Sequence, residues 1–150
     1  MAVASQSRSD NQWHWTTDQE IPSRLDATKP IIDSVLEAMS QCGWPQPDSF
    51  SVHLALEEAL VNAIKHGNQF ADDKNVHVVC SVGSQRIRIE VTDAGEGFNL
   101  DDVPDPTADD RLEVPSGRGI MLMRSFMSHV EYHDPGNRVV MEKTRDEAKE

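Results

Sequence analysis

Residues 76–97, VHVVCSVGSQRIRIEVTDAGEG, carry the pattern from which the fold follows. Val76, Val78, Cys80 and Val82 recur with a period of two, and so do Ile87, Ile89 and Val91. Successive side chains of a strand point to opposite faces, so each run is apolar on one face and more polar on the other. Gly83-Ser84 between the runs is a hairpin signal. An antiparallel pair of this kind buries one face and leaves the other wet.

Working toward the N-terminus, the spacing predicts a helix opening after Pro47-Asp48. It carries Phe50, Leu54, Ala55, Ala59, Val61 and Ile64 and stops at Gly67, a residue suited to the left-handed position past a helix end. An earlier helix is predicted from Pro22, with Leu25, Ile32, Val35, Leu36 and Met39 on one face, Pro30 as a possible kink, and Gly43 and Pro45 as its stop. Trp13, Trp15 and Thr17 alternate within a first strand over residues 12–21. Residues 1–11 are polar and lack periodicity, which predicts a disordered arm.

Toward the C-terminus, residues 99–113 hold six carboxylates and one arginine, a net −5, and read as a surface loop. Ser116-Gly117-Arg118-Gly119 leads into a short helix with Ile120, Met121, Met123, Phe126 and Met127. A last hairpin follows, with Val130 and Tyr132 before Pro135-Gly136-Asn137, and Val139 and Met141 after it; residues 144–150 form a tail. Hairpin-paired strands with grouped helices predict an α+β, two-layer sandwich whose mostly antiparallel sheet is covered on one face by helices.

The chain has 150 residues, 14 Lys+Arg against 26 Asp+Glu and a formal net charge of −12. That length supports one ordinary domain, placed at residues 12–143. The acidic balance repels phosphate backbones and anionic lipid, which argues against direct nucleic-acid or membrane partners. No apolar run approaches the roughly 20 residues that span a bilayer, and the cytoplasm is the expected location. Cys42 and Cys80 lack metal or disulfide spacing and read as reduced thiols.

Three patches exceed what folding requires. Glu58 and Asn62 stand four apart on one helical face, where a carboxylate can take a proton and an amide oxygen can ligate a hard cation such as Mg²⁺. Taken alone, the pair also fits a solvated helix surface. Asp93-x-Gly95-x-Gly97 closes a strand; its glycines admit close backbone approach and its carboxylate can accept from an amino group, although a plain glycine turn looks the same. Ser116-Gly117-Arg118-Gly119 before a helix is a generic anion cradle. No P-loop or dinucleotide fingerprint is present. His129 and His133, four apart on a strand, lie too far apart to share a metal.

In this order and spacing the patches resemble the asparagine box and the two glycine boxes of the GHKL ATPase superfamily, whose members include gyrase, histidine-kinase and MutL domains. The nearest likeness is to the bacterial anti-sigma factor serine kinases: LALEEALVNAIKHGN at 54–68, DAGEGF at 93–98 and SGRGIMLMRSFMSHVEY at 116–132. The resemblance covers about residues 20–143 and implies the ATP-binding sandwich of that superfamily. It implies ATP and Mg²⁺ as cofactors, Glu58 as general base and Asn62 as Mg²⁺ ligand. Asp93 would accept the adenine amino group, with Gly95 and Gly97 shaping that end of the pocket. Gly117, Arg118 and Gly119 would lie against the phosphates, and Lys65 and His66 would line the wall.

The implied activity is phosphorylation of a serine on a STAS-domain anti-anti-sigma protein by a domain that otherwise sequesters a sigma factor. A homodimer through the first strand and helix is in keeping with the family. The alternative is a nucleotide-binding regulatory switch that phosphorylates nothing. The chain departs from the family at Gly136-Asn137-Arg138, where many members carry Gly-Thr. Its acidic stretch, the implied ATP lid, must also be offset by Mg²⁺, Arg111, Arg118 and Lys65 or face solvent.

Overall fold

The structure is a computed structural model that describes residues 13–95, 117–133 and 137–145. The expected arm at 1–11, the acidic stretch at 99–113, the Pro135-Gly136 turn and the tail beyond Arg145 lie outside the described residues. Five strands, β1 (Trp15–Pro22), β2 (Asn75–Val82), β3 (Arg86–Thr92), β4 (His129–His133) and β5 (Arg138–Thr144), form one sheet in the order β1-β2-β3-β5-β4. Every neighbouring pair is antiparallel.

Register carries the period-two pattern across the sheet. Cys80 stands opposite Ile89, and Ile89 opposite Met141, so the apolar sides of β2, β3 and β5 coincide. These side chains are fully buried under the helices, and each large one contributes about 1.5–3 kcal/mol relative to exposure. The other face is polar: Arg88 bridges Glu90 and Glu142, and Arg138 pairs with Glu90. The α+β sandwich expected from the hairpins is the observed architecture.

Helix α1 (Thr28–Gln41) begins later than expected. Pro22 closes β1 instead of opening a helix, and a 3₁₀ turn at Leu25–Ala27 intervenes. Leu25 is therefore exposed, while Ile31, Ile32, Val35, Ala38 and Met39 form the buried face. Pro30 causes no kink, because it falls in the first turn, where a missing N–H costs no helical bond. At the far end Gly43 takes φ +77. Arg145 there donates to the Gly43 carbonyl (2.7 Å) and the Ser84 carbonyl (3.1 Å), and its guanidinium stacks over Trp44.

Helix α2 (Gln46–Val61) buries Val52, Ala55, Leu56, Ala59 and Leu60. Phe50, expected in the core, is 60% exposed. It lies two residues from Val52, about 200° round the helix, and meets Phe126 edge-on at 6.4 Å. In α3 (Gly117–Phe126) Met123 is fully buried and Met121 is exposed. Trp15 packs partly against the core and Trp13 stacks under Arg86.

The largest departure is at residues 62–67. The predicted α-helix does not run on to Gly67; a π-helical turn, Asn62–Gly67, takes over. The Asn68 N–H donates to Ala63 (2.8 Å), five residues back, and the Phe70 N–H to Ile64 (2.9 Å). Gln69 and Phe70 then adopt left-handed backbone, φ 52 and φ 60, a conformation disfavoured for residues with a Cβ.

Asn68, 1% exposed, holds this strained exit in place. Its Nδ2 donates to Ser23 Oγ (2.9 Å) and to the Asn75 carbonyl (3.1 Å), and its Oδ1 accepts from the Ala94 N–H (2.7 Å). One side chain thus ties the end of β1, the start of β2 and the segment after β3 to the π turn. Replacing Asn68 by Ala orphans buried partners in three segments and should cost roughly 2–4 kcal/mol, read as a lowered urea midpoint. A midpoint within error of wild type would contradict this placement.

Candidate functional site

The end of β3 delivers Asp93 into a frame of backbone bonds. Its N–H donates to the Asn137 carbonyl (2.9 Å), and Asn137 Nδ2 donates back to the Asp93 carbonyl (2.9 Å). Its Oδ1 accepts from the Gly95 N–H (2.8 Å). Asn137, the departure from the Gly-Thr pattern, therefore serves as the brace that fixes Asp93.

Opposite Asp93 runs the exit of the π turn. A Cβ added to Gly67 would lie 2.2 Å from Asp93 Cγ and from Oδ2, and a Cβ on Gly95 would lie 2.2 Å from the Gly67 carbonyl oxygen. Real Cβ atoms do not approach so closely: at Gly95 the obstacle is the backbone of Gly67, and at Gly67 it is the Asp93 carboxylate itself, so any side chain at 67 would displace that acid. Burial pushes the Asp93 carboxyl up to about 6, against the opposing pull of the Gly95 N–H and the Lys74 charge. Desolvation is the largest influence on this acid, and the Gly95 N–H and the Lys74 charge offset only part of it.

A second cluster lies where α2 meets α3. Asn62 stands at the α-to-π junction, 7% exposed, and its Nδ2 has no hydrogen-bond partner among the described residues. The Tyr132 phenol, on β4, lies beside the Asn62 side chain. Burial holds that phenol above its ordinary range and keeps it neutral; the neighbouring Asn62 amide works against this shift, and the Glu58 charge adds to it. The Glu58 carboxylate rests on the first turn of α3, where a Cβ on Gly119 would lie 2.1 Å from Oε2. That is the positive end of a helix dipole.

The structure thus brings together Glu58, Asn62, Asp93, Gly95 and Gly119 of the residues expected from the sequence, and Tyr132 senses the charges of both Glu58 and Asp93. His66 is buried and Lys65 half-buried on the same π turn. Gly117 begins α3. Gly97 lies outside the described residues, as does the side chain of Arg118. Asn68 and Tyr132 were given no role by the sequence, the only hint being that each is a polar residue within or beside a motif, and Asn137 stood out only as part of the departure from the Gly-Thr pattern. His129 and His133 both face Glu131, at 3.5 and 3.6 Å. No group of three metal-binding side chains occurs among the described residues, and no described helix is long and apolar enough to cross a membrane.

Residues 21–143 match the histidine kinase-like ATPase domain family. The anti-sigma F factor of Clostridium perfringens is 33% identical over 97 residues, 61% of this chain and 69% of that protein. Serine-protein kinase RsbW of Listeria monocytogenes is 26% identical over 111 residues, 69% of this chain and 71% of that protein. A solved structure of RsbU and RsbW domains from Mycobacterium tuberculosis shares the fold, with a TM-score of 0.56 at 14% identity; the match covers 87% of this chain and 32% of that one. The chain is a histidine kinase-like ATPase domain. Within that class it belongs to the anti-sigma factor serine kinase family.

The raised Asp93 has a pH signature. An unfolded Asp titrates near ~3.9, whereas folded Asp93 titrates at about 6. Between those values the folded state keeps a proton that the unfolded chain has lost, so stability contributed here is present below the window and lost as pH rises through it. Asp93→Asn should therefore resist urea better than wild type at pH 7.5, by on the order of 1–2 kcal/mol, with the gap closing near pH 4. A variant less stable than wild type at pH 7.5 would contradict the uncompensated burial.

Proposed function

We propose that this protein is an anti-sigma factor serine kinase that uses ATP to phosphorylate a serine of a STAS-domain anti-anti-sigma protein, and that it sequesters a sigma factor when it does not. The observation that carries this reading is the meeting of the Glu58 carboxylate with the first turn of α3 at Gly119, a proton acceptor against a helix start suited to phosphate. Binding alone has no use for that glutamate. The names of the curated relatives support the same activity. The domain is read as residues 12–143, working in the cytoplasm.

In the proposed pocket the Asp93 carboxylate accepts from the adenine amino group. Its Oδ1 is already committed to Gly95, which leaves Oδ2, on the Gly67 side, for the base. Gly95 and Gly97 shape that end, and Lys65 and His66 line the wall. Gly117, Arg118 and Gly119 present helix-start amides and a guanidinium to the phosphates. Glu58 orients the serine hydroxyl and takes its proton.

The buried Asn62 amide, with an orphaned donor among the described residues, fits a cation–phosphate unit: its nitrogen suits a phosphate oxygen and its carbonyl a hard cation. Bound there, Mg²⁺ would neutralise charge on the transferring phosphoryl group. β1, an edge of the sheet, offers a surface for a second copy of the chain.

The direct test is transfer from labelled ATP to a cognate STAS-domain protein. Wild type should label one serine; Glu58→Ala should slow labelling by at least about a hundredfold; Asp93→Asn should raise the KM for ATP at least about tenfold while changing kcat less. Wild type that labels no candidate partner, yet binds ATP, would leave a nucleotide-binding switch instead.

A further inference from the structure

Two contacts fix how α2 and α3 face each other. Near the start of α2, Phe50 meets Phe126 at the end of α3, edge-on at 6.4 Å. Near the end of α2, the Glu58 carboxylate rests on the first turn of α3, where a Cβ on Gly119 would lie 2.1 Å from Oε2. The two helices therefore run antiparallel, with an aromatic pair at one end of their seam and the carboxylate at the other. Phe50 and Glu58 are about 12 Å apart along the helix, with Leu54 midway between them. Positions four apart share a face, so these three side chains form one ridge. On α3 the positions 119, 122 and 126 do the same and place Leu122 on the side toward α2.

The seam is apolar and open. Phe50 is 60% exposed, Met121 54% and Leu122 40%. Single exposed apolar residues are ordinary, whereas a run of them along two packed helices marks a surface that meets another molecule. The core does not require them, because Leu56 and Met123 already fill the buried sides of the same helices. Charge describes the molecule they meet. In a chain of net charge −12, Gly117–Phe126 has two arginines and no acid, and Arg124 is exposed two residues from Leu122. On the α2 side Glu57 lies 3.8 Å from His53. An apolar stripe with a cationic border on α3 suits a partner patch that is apolar and bordered by carboxylates.

We propose that the stripe formed by Phe50, Leu54, Leu122 and Phe126 is the docking site of the phosphoryl-accepting protein, held there so that its serine hydroxyl reaches Glu58 at the stripe's end. This rests on the kinase reading above. The stripe and Glu58 belong to one ridge, so a protein whose serine reaches Glu58 is placed to cover the stripe as well. A sequestered sigma factor has no such need of Glu58. Apolar burial along the stripe holds the acceptor without touching the nucleotide, so the stripe sets affinity for the acceptor while Glu58 acts in the transfer itself.

The experiment titrates a cognate STAS-domain acceptor against wild type, Phe50→Ser, Leu122→Ser and Arg124→Glu at saturating Mg²⁺ and ATP, with ATP affinity read by calorimetry and sigma-factor affinity measured alongside. Phe50→Ser and Leu122→Ser should each raise the KM for the acceptor roughly 10–100-fold, while kcat and ATP affinity stay within about twofold of wild type. Arg124→Glu should slow acceptor association and flatten its dependence on salt. An acceptor KM unchanged in both serine variants would overturn the docking site while the kinase reading stands. A fall in kcat or ATP affinity as large as the rise in KM would also overturn it, since the stripe would then support the fold or the nucleotide pocket. Lost sigma-factor affinity with the acceptor KM intact would assign the stripe to the sigma factor and overturn the proposed occupant. Wild type that binds ATP yet labels no acceptor would remove the kinase reading and the docking site with it.

Discussion

The contact between Gly67 and Asp93 is the constraint on which the rest of the site depends. A Cβ on Gly67 would strike the Asp93 carboxylate and one on Gly95 the Gly67 carbonyl, and the desolvation of the acid is only partly offset by the Gly95 N–H on Oδ1 and the Lys74 charge. Everything around it serves to hold that arrangement. The π turn moves Gly67 to where an α-helix would not carry it, Asn68 stitches the turn's exit to three other segments, and Asn137 clamps Asp93 from β5's side. The left-handed Gln69 and Phe70 are the local cost of this exit, on the order of 1–2 kcal/mol each. Left-handed residues, a π turn and a desolvated acid meet at this one place.

The sandwich architecture converts these local features into one site. The antiparallel sheet presents Asp93 at the end of β3 and Tyr132 on β4, while α2, the π turn that follows it and α3 bring Glu58, Asn62 and Gly119 from the layer above. Chemistry that needs a base-binding end and a phosphate end can therefore be assembled without any single element carrying both. The polar face of the sheet is knitted by Arg88, Glu90, Arg138 and Glu142, while the buried polar side chains of Asn62, His66 and Asn68 lie at the π turn.

Much of this was legible in the sequence. The period-two runs of β2 and β3 specify their own buried face, and three motifs in order identify the family where no single one does. Other features were not legible, for reasons that are physical. Phase misled at Phe50, because both candidate stripes of α2 are apolar and only packing against the sheet decides between them. Pro22 suits a helix start and a strand end equally well. A π turn has no composition signal: one extra residue per turn is invisible in a pattern read at 3.6. Asn68 and Asn137 act through groups remote in sequence, so their roles emerge only from tertiary structure.

The central claim, that Asp93 is a desolvated acid held ready for a base, is tested most directly by carbon-13 NMR titration of its side-chain carboxyl with and without a bound adenine nucleotide. The account predicts a midpoint at about 6 in the free protein and a fall of at least roughly one unit when the nucleotide's amino group supplies the missing donor. A free-protein midpoint near ~4, the ordinary value for an exposed Asp, unmoved by nucleotide, would contradict it.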